Sequence, residues 1–90
     1  MKYETIIIYK PNTSEEDINR IEDKLSGIIK IDILEDLGIK QLAYKCKGQV
    51  RGRYSVAKWH GNNNKIKEIE NFIKKHEEII KFISVESEEQ

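Results

Sequence analysis

Residues 2–18, KYETIIIYKPNTSEEDI, set a strand directly before a helix. Lys2 to Lys10 is rich in Ile and Tyr, and Pro11, which cannot donate a ladder hydrogen bond, stops it. Asn12, Thr13 and Ser14 form a turn. Ser14 stands three residues before Asp17, a weak form of the capping box, and Glu15 and Glu16 fall in the electropositive first turn. Ile18, Ile21, Leu25, Ile28 and Ile29 follow at helical spacing, so the pattern predicts an amphipathic helix over 15–30.

The rest of the chain extends this alternation. Ile31 to Leu37 alternates apolar and acidic residues, as a half-buried strand does. Gly38 marks a bulge or bend, after which the strand resumes through Tyr44 to Lys47. Gly48 to Gly52 reads as a mobile basic loop, and Arg53 to His60 as a third strand. Gly61 and three asparagines make a turn, with Asn64 as the N-cap of a second helix. Ile66, Ile69, Phe72 and Ile73 place an apolar stripe on that helix. Ile79 to Val85 is the fourth strand, and the acidic end, residues 87–90, is expected to fray. The order β-α-β-β-α-β predicts an α+β, ferredoxin-like fold, with a four-stranded antiparallel sheet and both helices on one face.

Ninety residues suit one domain over 1–90. That length can bury roughly 60–70 % of the unfolded surface, enough for one sheet and two helices but not for a deep enclosed active site. Two helices cover only one face of such a sheet. Tyr3, Thr5, Ile7 and Tyr9 point one way, and Ile6 and Ile8 the other. In the fourth strand, Ile83 and Val85 oppose Ile80 and Phe82. The second face is therefore unusually apolar, a pattern that marks partner surfaces and also occurs as scattered exposed Ile.

Charge is segregated. The net charge is zero, but residues 1–37 carry five basic and nine acidic side chains, and residues 61–90 carry five and seven. Between them, residues 38–60 hold Lys40, Lys45, Lys47, Arg51, Arg53 and Lys58 with no acid. A polyanion responds to such a local field rather than to the average. Tyr44, Tyr54 and Trp59 interleave with these cations. Cations contact phosphates and aromatic rings stack on unpaired bases, so the segment favours nucleic acid over a merely solvated hairpin. The third strand lacks the run of stacking aromatics that marks the RNA-recognition motif.

Catalysis finds little support. Cys46 with His60 or His76 is the only thiol–base combination, and nothing in the spacing joins them. A lone Cys in a strand is usually a small buried hydrophobe, and it fits a reducing compartment. No paired-ligand spacing suggests a metal, and no cofactor is implied. The longest apolar run, Ile6 to Tyr9, is far too short for a membrane span, and the start does not resemble a secretory signal. Gly48-Gln49-Val50-Arg51-Gly52-Arg53-Tyr54 loosely resembles the phosphate-cradling loop of acylphosphatases, but there the loop follows the first strand.

Gly38-Ile39-Lys40-Gln41-Leu42-Ala43-Tyr44-Lys45-Cys46-Lys47 resembles the signature of the bacterial-type small-subunit ribosomal protein six family. That signature runs Gly, any residue, a basic residue, a polar residue, Leu, Ala, Tyr, any residue, Ile, and usually a basic residue. The chain departs at Cys46, where the family has Ile, and at Lys45, where Pro is common. The Tyr-Glu strand, Pro-Asn turn, acidic-start helix and final Ile-Ile-Lys-Phe-Ile-Ser-Val-Glu extend the likeness over nearly the whole chain.

The resemblance implies the ferredoxin-like fold and no enzymatic activity. It implies binding to the central domain of small-subunit ribosomal RNA, as a heterodimer with ribosomal protein eighteen, with no membrane or DNA partner. Lys40, Lys45 and Lys47, in or beside the motif, become RNA-contact candidates. Arg51, Arg53 and Lys58 are candidates on charge alone, and alternation makes Ile6 and Ile8 candidates for the protein partner. The implied location is a ribosome of the bacterial cytoplasm, or of an organelle. The competing reading is a ferredoxin-like regulatory or small-ligand module whose basic loop holds an anion.

Overall fold

A computed structural model describes residues 1–87. The elements are β1 (Lys2–Tyr9), α1 (Glu15–Leu25), β2 (Lys30–Cys46), β3 (Gln49–His60), α2 (Asn64–Ile73) and β4 (Ile79–Ser87). The strands form one sheet in the order β2-β3-β1-β4, with every neighbouring pair antiparallel. This is the ferredoxin-like arrangement that the element order predicts.

Strand periodicity builds the core. Tyr3, Thr5, Ile7 and Tyr9 project from β1 toward the helices and are buried. Ile18, Ile21 and Leu25 of α1 meet them, as do Ile69 and Ile73 of α2 and Ile79 at the start of β4. Burying one such Ile contributes roughly 1.5–3 kcal/mol. Trp59 stacks on Tyr3 with ring centroids 4.6 Å apart, and its indole N–H donates to Thr5 Oγ1 at 2.9 Å. That hydroxyl also shares a 2.9 Å hydrogen bond with Ser84 Oγ, so the polar group under the sheet is satisfied on two sides.

Ser14 caps α1 as its position predicts, accepting from the Asp17 N–H at 3.1 Å. The helix ends at Leu25, however, and not at residue 30. Ser26 Oγ donates to the Asp23 carbonyl, and the Gly27 N–H closes a turn on the Lys24 carbonyl. Ser and Gly are poor helix formers, and this local bonding offers the backbone an alternative. Ile28 and Ile29 still pack on the core from the turn. Asn63, not Asn64, occupies the N-cap of α2, and its side chain makes no capping bond. The Lys65 and Ile66 N–H groups instead bond the Asn62 and Asn63 carbonyls.

The expected loop over 48–52 is strand. β3 begins at Gln49, and only Lys47 and Gly48 turn the chain, both with positive φ. A two-residue loop with positive φ at both positions matches the right-handed twist of its strands, so the hairpin needs no longer connection. Gly38 does mark a bulge, with φ at +79° and its N–H donating to Asp36 Oδ1 at 2.9 Å. Ile80 also departs from the expected alternation. Ile8 pairs with Lys81 and Tyr9 with Ile79, so Ile80 is the surplus residue of a bulge. It lines a hollow with Ile6, Ile8 and Ile83 on the face away from the helices. Of the end expected to fray, Ser87 pairs with Lys2, and residues 88–90 lie outside the described residues.

Candidate RNA interface

The β2–β3 hairpin outruns the sheet. β1 stops at Tyr9, opposite Arg53, so residues 40–52 extend past the end of their neighbour. Its tip is irregular. Between the pairs Gln41↔Arg51 and Cys46↔Gln49, β2 has four residues and β3 has one, Val50. The surplus forces Leu42, Ala43, Tyr44 and Lys45 into a wide bulge.

That bulge lies across the face away from the helices. Leu42, Tyr44 and Cys46 share a hollow of about 280 Å³ with Ile6, Ile8 and Ile83. Gly52 permits the approach. A Cβ there would lie 2.4 Å from Ile8 Cγ2, closer than two carbon atoms can come. Lys47 Nζ reaches the Ile79 carbonyl of β4 at 3.3 Å. The sheet face expected to lie open is thus partly roofed by the chain itself. Ile8 is only 4 % exposed and Ile6 is half-buried. The larger exposed apolar surface there belongs to Ile33, Ile83 and Val85.

The six cations separate into two groups. Arg53 points toward α1, where its guanidinium reaches Asp36 Oδ2 and Glu15 Oε1, each at 2.6 Å. Lys58 pairs with Glu35 at 3.5 Å. Both acids from β2 lie in a stretch the sequence separates from the basic segment, and strand pairing returns them to it. Lys40, Lys45, Lys47 and Arg51 have no carboxylate partner among the described residues. They sit together on the overhanging hairpin, so the positive field is concentrated at its tip.

The aromatics also separate. Trp59 is 1 % exposed and spent on the core. Tyr54 has Lys40 Nζ 5.9 Å from its ring centroid. Tyr44 is 87 % exposed.

On the helix side, a polar cluster that sequence reasoning missed ties α1 to the sheet. Tyr9 and Ser55 hydroxyls both donate to Glu22 Oε2, at 3.1 and 2.9 Å. Burial pushes the Glu22 carboxyl above its ordinary value, against the pull of these two donors. The Tyr9 hydroxyl is driven well above the usual phenol range, chiefly by burial and then by the neighbouring Glu22 charge. Hydrogen bonds from Arg53 and the Gly38 N–H hold Asp36 below the usual carboxylate range. Those from Arg53 to Asp36 and Glu15 in turn raise the Arg53 guanidinium further. Glu22 is a solvated helix position by pattern, and only the packing of α1 on β3 half-buries it.

Among the described residues the thiol and the two imidazoles stand apart. His60 bonds Asp32 at 2.7 Å at one end of β3, and Cys46 pairs with Gln49 at the other. His76 packs on Phe72. Among the described residues no group of His, Cys, Asp or Glu could hold a metal ion, and no helix is long and apolar enough to cross a membrane.

A ferredoxin-like sheet with an overhanging cationic hairpin defines a protein that presents a charged surface. Comparison with known proteins says which one. The family described as Ribosomal protein S6 matches residues 2–86. Small ribosomal subunit protein bS6 of Pelobacter propionicus is 40 % identical, over 93 % of this chain and 69 % of its own. That of Geobacter sulfurreducens is 31 % identical, over 98 % and 80 %. The crystal structure of 30S ribosomal protein S6 from Thermotoga maritima superposes with a TM-score of 0.84, at 28 % identity, over 96 % of this chain and 86 % of that one. The chain belongs to the ribosomal protein S6 family. Members of that family are structural components of the ribosome, not enzymes.

Proposed function

We propose that this protein is a structural part of the bacterial small ribosomal subunit that holds the central domain of small-subunit ribosomal RNA, as a heterodimer with ribosomal protein eighteen. The observation that carries the RNA reading is the group of four cations without acidic partners on the overhanging hairpin. Phosphates accept hydrogen bonds from such side chains and release counterions as they bind. Lys40, Lys45, Lys47 and Arg51 are the phosphate contacts. Arg53 and Lys58 serve mainly within the fold, because their charges are already matched. The protein partner takes the remaining apolar surface around Ile6, where Ile83 stays exposed and Ile8 lies beneath.

The test is filter binding to central-domain RNA with protein eighteen present. Changing Lys40, Lys45 and Lys47 together to Glu should lower affinity by on the order of a hundredfold while the circular dichroism spectrum stays unchanged. Unchanged affinity would sink the RNA reading. In cells the protein should sediment with the small subunit. Free sedimentation would favour the anionic-ligand module instead.

A further inference from the structure

We infer that Tyr44 is a stacking platform for one unpaired RNA base. This rests on the proposed RNA reading and adds to it what the hairpin can distinguish. Phosphate contacts alone do not read whether a base is paired, because every nucleotide presents the same phosphate group. A flat ring can, because it stacks only on a base that has left its helix.

Three observations single out Tyr44. Its side chain is almost fully exposed, although a phenol ring usually hides part of its area against the fold. The wide bulge explains how: with four residues of β2 opposite one of β3, Leu42 turns onto Gly52 while Tyr44 stays at the open rim of the hollow. The other two aromatics of the basic segment are less accessible, Trp59 because it is stacked on Tyr3 beneath the helices and Tyr54 because it is half-buried in the lining of the hollow. Lys45 adjoins Tyr44 in sequence, and Lys47 and Arg51 lie on the same tip, so a strand drawn there by its phosphates meets the ring next. An exposed aromatic among cations that lack acidic partners is the arrangement by which proteins hold single-stranded segments.

The experiment compares two RNAs of equal length and charge, one with a single unpaired purine replaced by 2-aminopurine and one fully paired. Wild type, Tyr44→Ala and Tyr44→Phe, each with protein eighteen present, are titrated into both RNAs over a salt series. Tyr44→Ala should lose roughly 5- to 150-fold in affinity for the looped RNA, the range one base–aromatic stack is worth. It should lose nothing on the duplex, and its salt dependence should match wild type because no charge has changed. Tyr44→Phe should keep the affinity, and both it and wild type should quench the 2-aminopurine emission that Tyr44→Ala leaves bright. Equal affinity of Tyr44→Ala and wild type for the looped RNA, or an equal loss on both RNAs, would overturn the stacking role while leaving the phosphate contacts standing. Wild type that binds neither RNA would overturn both readings at once.

Discussion

Glu22 and Asp36 are two carboxylates on one side of the sheet, displaced in opposite directions. Glu22 is raised by burial, so it contributes most while protonated, and that contribution is lost as pH rises through its folded value. Asp36 is lowered by the Arg53 and Gly38 donors, so its contribution is present above the unfolded value and lost as pH falls through the folded one. Urea midpoints measured across the acid range should separate them. Glu22→Gln should flatten the decline just above the ordinary glutamate value, and Asp36→Asn should flatten the decline on the acid side of the ordinary aspartate value. Curves parallel to wild type in both variants would show that neither shift reaches stability. Gly52 is a steric constraint of the same scale. Gly52→Ala should cost about 1–3 kcal/mol in chemical denaturation, because its Cβ has no room beside Ile8 Cγ2. Adding Ile8→Ala should recover part of that loss through a favourable coupling in a double-mutant cycle, since it removes the clashing methyl. Neither effect is legible from the chain alone. Gly52 reads as a loop glycine, and the atom it must avoid belongs to a strand more than forty positions earlier.

At the scale of elements, the hairpin and α1 make opposite use of their charges. On the hairpin, each cation without an acidic partner should count separately in binding. Lys45→Gln should lower the slope of log affinity against log salt by about one, whereas Arg53→Gln should leave it nearly unchanged, because that guanidinium is held by two carboxylates. A slope that falls equally in both variants would place Arg53 on the RNA as well. On α1, the Ser14 hydroxyl occupies one orphan N–H of the first turn. Ser14→Ala should cost about 1 kcal/mol, read from a thermal or urea midpoint. That cap was legible because it spans three residues. The end of the same helix was not, since Ile28 and Ile29 keep the apolar rhythm after the backbone has left the helix. The rhythm reports which residues face the core, and a turn can satisfy it as well as a helix can.

For the whole molecule, Trp59 is the only tryptophan and lies under both helices, so its emission reports the packing of the entire sheet. One cooperative unfolding transition is expected, with Trp59 fluorescence and far-ultraviolet circular dichroism coincident. Separate midpoints would show that the hairpin or α1 unfolds apart from the rest. The element order, the buried rows of β1 and α1, the bulge at Gly38 and the family all follow from the chain by itself. Each depends on residues close in sequence: a period of two or of 3.6, a cap, a turn, or the Leu42-Ala43-Tyr44 core of one motif. Which cations remain unmatched, which ring is exposed and which part of the sheet stays open depended on the tertiary structure. Those properties arise from strand register and helix packing. Arg53 meets Asp36 across 17 positions, and the hairpin covers Ile8 because three surplus residues have to go somewhere. The chain carries the charges and rings as a list, and folding sets the distances among them, on which electrostatic attraction, desolvation and stacking all depend.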